Sequence, residues 1–497
     1  HLKKRKRKRT TSSKNSEAGE GEEKSEKKLQ VRRERQSLMF TKSYQILCSA
    51  VLIFASICFV FTEIPTLFTT FSSITLLLFD LCHFLYLFIL FIVVLDRLRI
   101  LRKATRKDFL YNGTFLEAVG PVLVMAQFFC LMPVRGIRAK TARGLSFSWR
   151  SFRTWYCLLY MCTTIADTGL TFNMVIQNKP DVRNIEPLVF HFSILLASIG
   201  FLRLASKWPQ LMRNWAEVEK KLPPHTTWRR REELPQKIQR VTFVLIMLST
   251  ISAIHFANYC PARKDPIEAY FVAVVPQLFY VFEYSTWLAW LGKIQNILMT
   301  FGWSYMDIFA MIMGIGLSSL YKQMQCNLKS VQGQCMPERF WVTTRYQYRR
   351  VCELVEEVDD AISAITMLSF ANNLYFVCIQ LLRSINKMPS VAHGVYFYFS
   401  LMFLLARTLA VSLFLSEVND RARDPLSPLQ FVPKDGYYIE VERFASEVAT
   451  DSVTLTGLKY FSVTRKLVLA IAGTIITYEL VLIQFHEDQN LWNCGED

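Results

Sequence analysis

The last apolar stretch of the chain, Leu467 to Phe485, carries polar side chains where they could contact ions. It is long enough to cross the ~30 Å hydrocarbon core as a helix, so these groups would need a partner or water at membrane depth. At ~100° per residue, one narrow stripe of the helix is small and polar, and the stripe beside it is aromatic. The first stripe holds Ala470, Thr474, Thr477, Val481 and Gln484, and the second holds Tyr478 and Phe485.

This arrangement suits a helix that lines a pore. Hydroxyl and amide groups can hydrate a passing ion, and a bulky ring can close the lumen by excluding water. The same threonines and glutamine could instead hydrogen-bond to neighbouring helices in a tight bundle. The residues alone leave both interpretations open.

The composition places the chain among integral membrane proteins. Of its 497 residues, 52% are hydrophobic and 14% are aromatic, which is not the composition of several soluble domains. Much of the net charge of +17 lies in the run Lys3 to Arg9 and between apolar stretches, where basic residues fix membrane orientation. This favours membrane lipid over nucleic acid as a partner. Residues 1–38 have almost no apolar content, which predicts a disordered basic cytoplasmic tail.

Nine apolar stretches are long enough to span a membrane. They are Gln45 to Thr62, Ser72 to Leu95, Thr154 to Ile176, Glu186 to Ala205, Val241 to Asn258, Thr286 to Lys322, Ile365 to Leu382, Val395 to Leu415 and Leu467 to Phe485. A shorter stretch, Ala118 to Val134, contains two prolines and is expected to form a re-entrant or surface helix. Basic segments alternate with segments poorer in positive charge, which predicts a cytoplasmic N-terminus and an outer C-terminus.

Several short motifs occur in one order along the chain, and together they carry a family resemblance. They are AVGPVL from Ala118, LMPV from Leu131, FSWRS from Phe147, TFGWSYMDIF from Thr300, LSFANNLYF from Leu368, and a closing Thr477-Tyr478 followed after five residues by Gln484-Phe485. On these motifs the chain from about Glu117 onward resembles the insect gustatory receptors. Within that family it is most similar to the sugar-receptor branch.

The resemblance implies an all-α, multispanning chemoreceptor with seven transmembrane helices and a cytoplasmic N-terminus. It implies a ligand-gated, non-selective cation channel of the plasma membrane, assembled as a homo- or hetero-tetramer with other gustatory receptor subunits. Residues 113–497 would form the channel domain, with a cytoplasmic anchor at 318–364, a pore helix at 461–487, and Gln484 and Phe485 at the gate. Residues 39–112 add two further spans, which either extend the receptor or derive from a gene-model fusion.

A sugar site combines aromatic rings, which stack on the C–H faces of the sugar, with polar groups that pair its hydroxyls. The outer halves of the helices, where His191, Trp303 and Asp307 also lie, supply such residues. The candidates for ligand binding are Asp167, His255, Glu283, Tyr284, Trp287, Asn373 and Gln380. Each has a structural alternative, since tryptophan and tyrosine anchor membrane interfaces and buried histidines are often satisfied within a bundle.

Two other classes of protein compete with a receptor channel. Intramembrane carboxylates also mark transporter pathways, so a carrier of a small polar solute is the main alternative. An enzyme is not expected, because neither HExxH nor GxSxG occurs in the chain. We expect no metal or cofactor.

Overall fold

The computed structural model describes residues 114–137, 139, 141–178, 182–223, 228–252, 266–384 and 391–493. The tail predicted at 1–38 and the two spans predicted at 39–112 lie outside these residues. The helices are α1 (Phe115–Phe128), α2 (Phe152–Gln177), α3 (Val182–Lys221), α4 (Trp228–Ser252), α5 (Pro266–Val274), α6 (Pro276–Phe279), α7 (Thr286–Ser330), α8 (Glu338–Ser384), α9 (Val391–Arg423), α10 (Leu426–Leu429), α11 (Ile439–Thr450) and α12 (Arg465–Asn493). Strands β1 (Thr456–Gly457) and β2 (Phe461–Ser462) form a small antiparallel hairpin between α11 and α12.

The all-α, multispanning class is confirmed. Within the described residues, four helices are long and apolar enough to cross a membrane, and they correspond to α3, α7, α8 and the helix that begins near Gly394. Helices α2, α4 and α12 contain 26, 25 and 29 residues. At 1.5 Å per residue each is ~38 Å or longer, which also exceeds the ~30 Å hydrocarbon core.

Three helices continue well beyond their apolar stretches, which the sequence-based boundaries did not predict. Helices α3, α7 and α8 contain 40, 45 and 47 residues, so each is ~60–70 Å long. The charge pattern counts the segments after Ala205 and Lys322 among the basic connections between spans, and the second overlaps the anchor that the family resemblance implies at 318–364. Both segments are largely helical. The reason is burial: Trp208, Trp215 and Tyr348 in these extensions are at most 1% exposed, and packing of such faces stabilises a helix more than propensity does.

The proline-containing stretch near Ala118 forms the 14-residue helix α1, which is too short to cross the hydrocarbon core. This length agrees with the prediction of a re-entrant or surface helix that does not cross, but one face of the helix is covered by protein. Phe115, Ala118 and Val119 are fully buried. The ring of Phe115 stacks on Trp215 of α3 at 4.0 Å, and Glu219 accepts the backbone N–H of Phe115 at 2.9 Å.

Helix α7 is the centre of the bundle and packs against α3, α4, α8 and α9. Tyr305, Phe309 and Met311 along it are fully buried. At Gly314 the helix meets the backbone of α9 so closely that an added Cβ would lie 2.5 Å from the carbonyl oxygen of Phe414. A glycine is therefore required there. This close approach brings the polar side chains of α7 and α9 within reach of each other.

Candidate functional site

A buried ion pair joins α7 to α9 in the interior of the bundle. Arg407 Nε lies 2.8 Å from Asp307 Oδ2, and both side chains are 2% exposed. Asn373 of α8 donates through Nδ2 to both carboxylate oxygens, at 3.2 and 3.1 Å. Its own side-chain oxygen accepts Arg407 Nη2 at 3.0 Å. Ser369 Oγ also donates to Asp307. We call these four residues the Asp307 network; it satisfies two buried charges with groups from three helices.

Aromatic side chains cover the Asp307 network on one side. The ring of Trp303 lies over the Arg407 guanidinium, 4.2 Å from ring centroid to Cζ. The same ring contacts Phe376 at 5.1 Å and Phe190 at 6.0 Å between centroids. Trp303 Nε1 is buried and has no hydrogen-bond partner among the described residues. The rings therefore form an aromatic surface that stacks on the Arg407 cation, and its Trp303 N–H has no hydrogen-bond partner among the described residues.

Further polar groups lie on the other side of these rings. Gln380 Nε2 donates to Ser400 Oγ at 3.3 Å, whereas Gln380 Oε1 is buried without a partner in the described structure. Beyond it, Arg383 of α8 pairs with Glu186 of α3. Asn373, Phe376, Gln380 and Arg383 follow successive turns of one face of α8. From Asn373 to Arg383 the helix rises ~15 Å, and we call the part of the bundle along this face the inner region.

Asp167 belongs to a second buried cluster next to the inner region. Its Oδ2 lies 3.0 Å from His191 Nε2, and its Oδ1 accepts Gln277 Nε2 at 2.9 Å. His191 Nδ1 faces the carbonyl of Pro187 at 2.5 Å, so oxygens on both sides fix the imidazole ring. That ring packs edge-to-face on Phe190 at 5.5 Å. The cluster ties α2, α3 and α6 together and connects through Phe190 to Trp303.

The structure separates the sequence-predicted ligand residues into groups. Asn373 and Gln380 lie in the inner region, and Asp167 lies beside it. Glu283 and Tyr284 lie in the turn before α7, and Trp287 lies in the first turn of that helix. Trp287 is 83% exposed, and Tyr284 packs on Phe279 at 5.3 Å. His255 lies outside the described residues. Sequence reasoning missed Arg407, although an arginine inside the apolar stretch Val395 to Leu415 is costly enough in a membrane to deserve notice.

The polar stripe of α12 is exposed on the surface of the single subunit. Thr474, Thr477, Val481 and Gln484 are all exposed. The threonine hydroxyls donate to backbone carbonyls one turn earlier, at 2.9 Å each, and keep acceptor lone pairs for water. The stripe is therefore exposed in the single subunit rather than buried against the other described helices.

The side of α12 next to this stripe packs on the bundle. Tyr478 and Ile475 contact the core formed by Phe376, Val377, Leu381, Leu401 and Leu404, which also contacts Trp303. Tyr478, which the sequence placed beside the stripe, is partly buried and contacts the bundle from that position. The side chain of Phe485, the predicted gate, lies outside the described residues. Helix α12 consequently has one side in contact with the core beside the inner region and an adjacent side that is exposed in the single subunit.

The β1–β2 hairpin holds the segment just before α12 against α8. Asp359 Oδ1 accepts the backbone N–H of Thr456 at 2.6 Å, and Oδ2 accepts its hydroxyl at 2.7 Å and Lys459 Nζ at 2.7 Å. Lys459 also pairs with Asp360 at 3.0 Å. Leu458 and Lys459 have φ values of 49° and 64°, a backbone region that costs energy for residues other than glycine. We call this arrangement the Asp359 clasp, and its contacts offset that cost.

Comparison with protein families and characterised relatives gives a consistent result. A family model described as the trehalose receptor matches residues 98–494. Gustatory receptor 5a for trehalose from Drosophila melanogaster is 55% identical over 400 residues, covering 79% of this chain and 90% of the relative. Gustatory receptor for sugar taste 64f from the same organism is 49% identical over 403 residues, covering 80% of this chain and 86% of the relative.

The fold is also found among solved structures. The insect olfactory receptor OR5 from Machilis hrabei in complex with eugenol superposes with a TM-score of 0.59. The sequence identity is 16%, and the match covers 74% of this chain and 97% of that receptor. The structure of the same receptor described without eugenol gives a TM-score of 0.53. At this identity the likeness establishes a shared fold.

Proposed function

The chain belongs to the trehalose receptor family, the sugar gustatory receptors of insects, and from this premise we propose that it is a sugar-gated, non-selective cation channel of the plasma membrane. The family consists of multi-pass receptors rather than enzymes. The observation that carries the proposal is the two-sided helix α12. Its hydroxyl and amide stripe, including Thr477 and Gln484, is exposed, while its other face contacts the inner region.

A tetramer gives the exposed stripe a function. Four copies arranged around an axis would bring four α12 stripes together, and their hydroxyl and amide groups would line a hydrated pore. Seven crossings of the membrane, by α2, α3, α4, α7, α8, α9 and α12, would keep the N-terminal side cytoplasmic. In this arrangement Phe485 and Gln484 form the gate, as the family resemblance suggests. The subunits are either identical or combined with other gustatory receptors.

We place the sugar in the inner region. Trp303 and Phe376 offer aromatic faces for the C–H surface of a sugar ring, and Asn373 and Arg407 supply polar groups. Trp303 Nε1 and Gln380 Oε1 are a buried donor and a buried acceptor without partners in the described structure. Such groups carry an uncompensated desolvation cost of ~1–3 kcal/mol each. A ligand with several hydroxyls that pairs both of them would recover part of that cost.

Contact between the inner region and α12 explains how binding would open the pore. Ile475 and Tyr478 pack on the same core as Trp303, and Phe376 is part of that core. A ligand that moves these rings therefore shifts the surface on which α12 packs. Opening then follows from tighter sugar binding to the open form. Moving from mostly closed to mostly open needs ~5.5 kcal/mol of differential binding, or ~1.4 kcal/mol for each of four subunits.

Cysteine substitution tests the pore. We expect Thr477→Cys and Gln484→Cys to make sugar-evoked current sensitive to a charged, water-soluble thiol reagent, because the pore face of α12 contacts water. Ile475→Cys is the matched control, since Ile475 is partly buried against the core. The current of this variant should respond to the reagent no more than the wild-type current does. The wild-type response measures the contribution of the native cysteines. Patch-clamp recording before and after the reagent gives the measurement.

Two results would count against the channel proposal. The first is inertness of both pore-face cysteines whether or not sugar is present. The second is saturable sugar uptake without single-channel steps, which would indicate a carrier. Equal modification of Ile475→Cys and Thr477→Cys would contradict the assignment of the two faces of α12.

The position of the sugar is tested by comparing two tryptophans. Trp303→Leu should raise the half-maximal sugar concentration about two- to tenfold, because an aromatic contact contributes ~0.5–1.5 kcal/mol beyond its buried area. Trp287→Leu should change it less than about twofold, since that ring is 83% exposed. Dose–response curves are measured at matched surface expression. A larger increase in the half-maximal sugar concentration for Trp287→Leu than for Trp303→Leu would place the sugar near Glu283, Tyr284 and Trp287 instead.

A further inference from the structure

The segment that leads into α2 is strongly basic and has no acidic residue. From Ala118 to Ala166 the chain contains no aspartate and no glutamate, and its cations are Arg135, Arg138, Lys140, Arg143, Arg150 and Arg153. A one-sign cluster of this kind repels itself unless an anion lies nearby. Neither the pore nor the inner region uses these residues.

The described part of this segment is folded into a defined loop. Arg135 and Ser146 exchange two backbone hydrogen bonds, at 2.8 and 3.1 Å. Gly136 has φ +79°, and a Cβ there would lie 2.0 Å from the carbonyl oxygen of Gly144, so only glycine fits. Thr154 Oγ1 donates to the carbonyl of Ser148 at 2.8 Å, which fixes the approach to α2. The backbone of the loop is therefore fixed, and with it the points from which its side chains extend.

Arginines and large aromatic side chains are exposed together on this loop. Trp149, Phe152 and Trp155 are 60%, 83% and 64% exposed. Arg135, Arg143 and Arg150 are also exposed, and within the described residues no carboxylate lies at ion-pair distance from them. We call this surface the Arg–Trp surface; its members are Arg135, Arg143, Trp149, Arg150, Phe152 and Trp155.

The position along α2 puts the Arg–Trp surface at a membrane boundary. Helix α2 has 26 residues and is ~39 Å long, so its first residues lie near the headgroups when it crosses the ~30 Å core. Tryptophan is enriched at that depth. The charge distribution of the loops assigns this end of α2 to the cytoplasmic side, where the leaflet is anionic.

We propose that the Arg–Trp surface binds the phosphorylated headgroups of anionic lipids in the inner leaflet. Arginine forms paired hydrogen bonds with phosphate oxygens, which makes it the better cation for this ligand than lysine. The exposed rings of Trp149 and Trp155 enter the acyl boundary and hold the arginines at headgroup level. This inference depends on the proposed membrane orientation, and it is independent of the sugar site and the pore.

Lipid binding to the purified full-length receptor tests the proposal. The probe is dioctanoyl phosphatidylinositol 4,5-bisphosphate, and dioctanoyl phosphatidylcholine is the zwitterionic comparison. We expect the triple variant Arg135→Gln, Arg143→Gln, Arg150→Gln to weaken binding of the phosphorylated lipid at least tenfold, since each cation near an anionic surface contributes about fivefold. The control triple, Arg213→Gln, Arg339→Gln, Arg423→Gln, removes the same charge from exposed positions elsewhere and should leave binding unchanged.

The aromatic component has its own test. Free inositol 1,4,5-trisphosphate should bind more weakly than the lipid. The double variant Trp149→Ala/Trp155→Ala should weaken binding of the lipid and leave binding of the free headgroup unchanged. Equal binding of headgroup and lipid would overturn the membrane-facing role. Equal binding by the two triple variants would overturn the arginine assignment. Loss of the tetramer in the Arg135/143/150 variant, with unchanged lipid binding, would make the surface a subunit interface and overturn the proposal. Size-exclusion profiles confirm that each variant is folded.

Discussion

Asp307→Leu is expected to remove most of the receptor from the cell surface. The variant leaves Arg407 charged and only 2% exposed without its counter-charge. Breaking one partner of a buried pair costs about 3–5 kcal/mol, which is a large part of the ~5–15 kcal/mol that stabilises a typical domain. Surface biotinylation and thermal unfolding of the purified protein measure the effect. Arg407→Met should have a similar cost, because it leaves the buried Asp307 carboxylate without its counter-charge.

The double variant Asp307→Leu/Arg407→Met separates folding from sugar recognition. Replacing both charges with apolar groups is often neutral for stability, so surface expression should recover substantially. The sugar response should not recover, because the Arg407 guanidinium that lies against the Trp303 ring is absent. Arg383→Ala provides the control for an exposed pair: Arg383 is 45% exposed, and exposed pairs contribute ~1 kcal/mol or less. Normal expression and unfolding of Asp307→Leu would contradict the structural role of the network.

The sequence predicted the helices, the membrane class and the hydroxyl stripe because each depends on local periodicity. Thr474, Thr477 and Gln484 share a face in any α-helix, and that face is exposed in the structure. The family prediction was also confirmed by the match over residues 98–494. Local pattern could not show which side of α12 is covered; Tyr478 lies beside the stripe, as periodicity requires, and its contact with the core was not predicted.

The contacts within the candidate site could not be predicted, since they join residues far apart in the chain. Asn373 reaches Asp307 across 66 positions, and Asp359 reaches Thr456 across 97. Helix packing and the close approach at Gly314 decide such pairs, and neither follows from periodicity. Arg407 could have been singled out by its cost in a membrane, but its partner could not. The extension of α3 past Ala205 likewise follows from burial of Trp208 and Trp215.

Asp359→Ala is expected to uncouple sugar binding from the pore. Asp359 is 2% exposed and accepts three hydrogen bonds from Thr456 and Lys459. The hairpin it holds ends at Ser462, directly before α12 begins at Arg465. Without these contacts the start of α12 is no longer fixed to α8. Maximal sugar-evoked current at equal surface expression should fall about tenfold, since coupling between sites is typically ~1–3 kcal/mol.

Two further variants of the Asp359 clasp serve as a control and as an intermediate case for this prediction. Asp360→Ala is the matched control, because Asp360 is 69% exposed and pairs, among the described residues, with Lys459 alone; the current of this variant should stay within about twofold of wild type. Thr456→Val removes one hydroxyl donor and keeps the side-chain shape, so an intermediate loss is expected. A wild-type response from Asp359→Ala at equal expression would show that the clasp does not transmit opening.

The clasp should also be insensitive to physiological pH. The hydrogen bonds that Lys459 Nζ donates to Asp359, and secondarily to Asp360, raise the pKa of Lys459 above its ordinary value. A cation with a raised pKa in the folded state contributes stability that is complete below its unfolded pKa of ~10.4 and is lost only as pH rises through the higher value. The ratio of wild-type to Asp359→Ala current should therefore be the same at about pH 6 and about pH 8. A ratio that changes across this interval would mean that a different titrating group controls the start of α12.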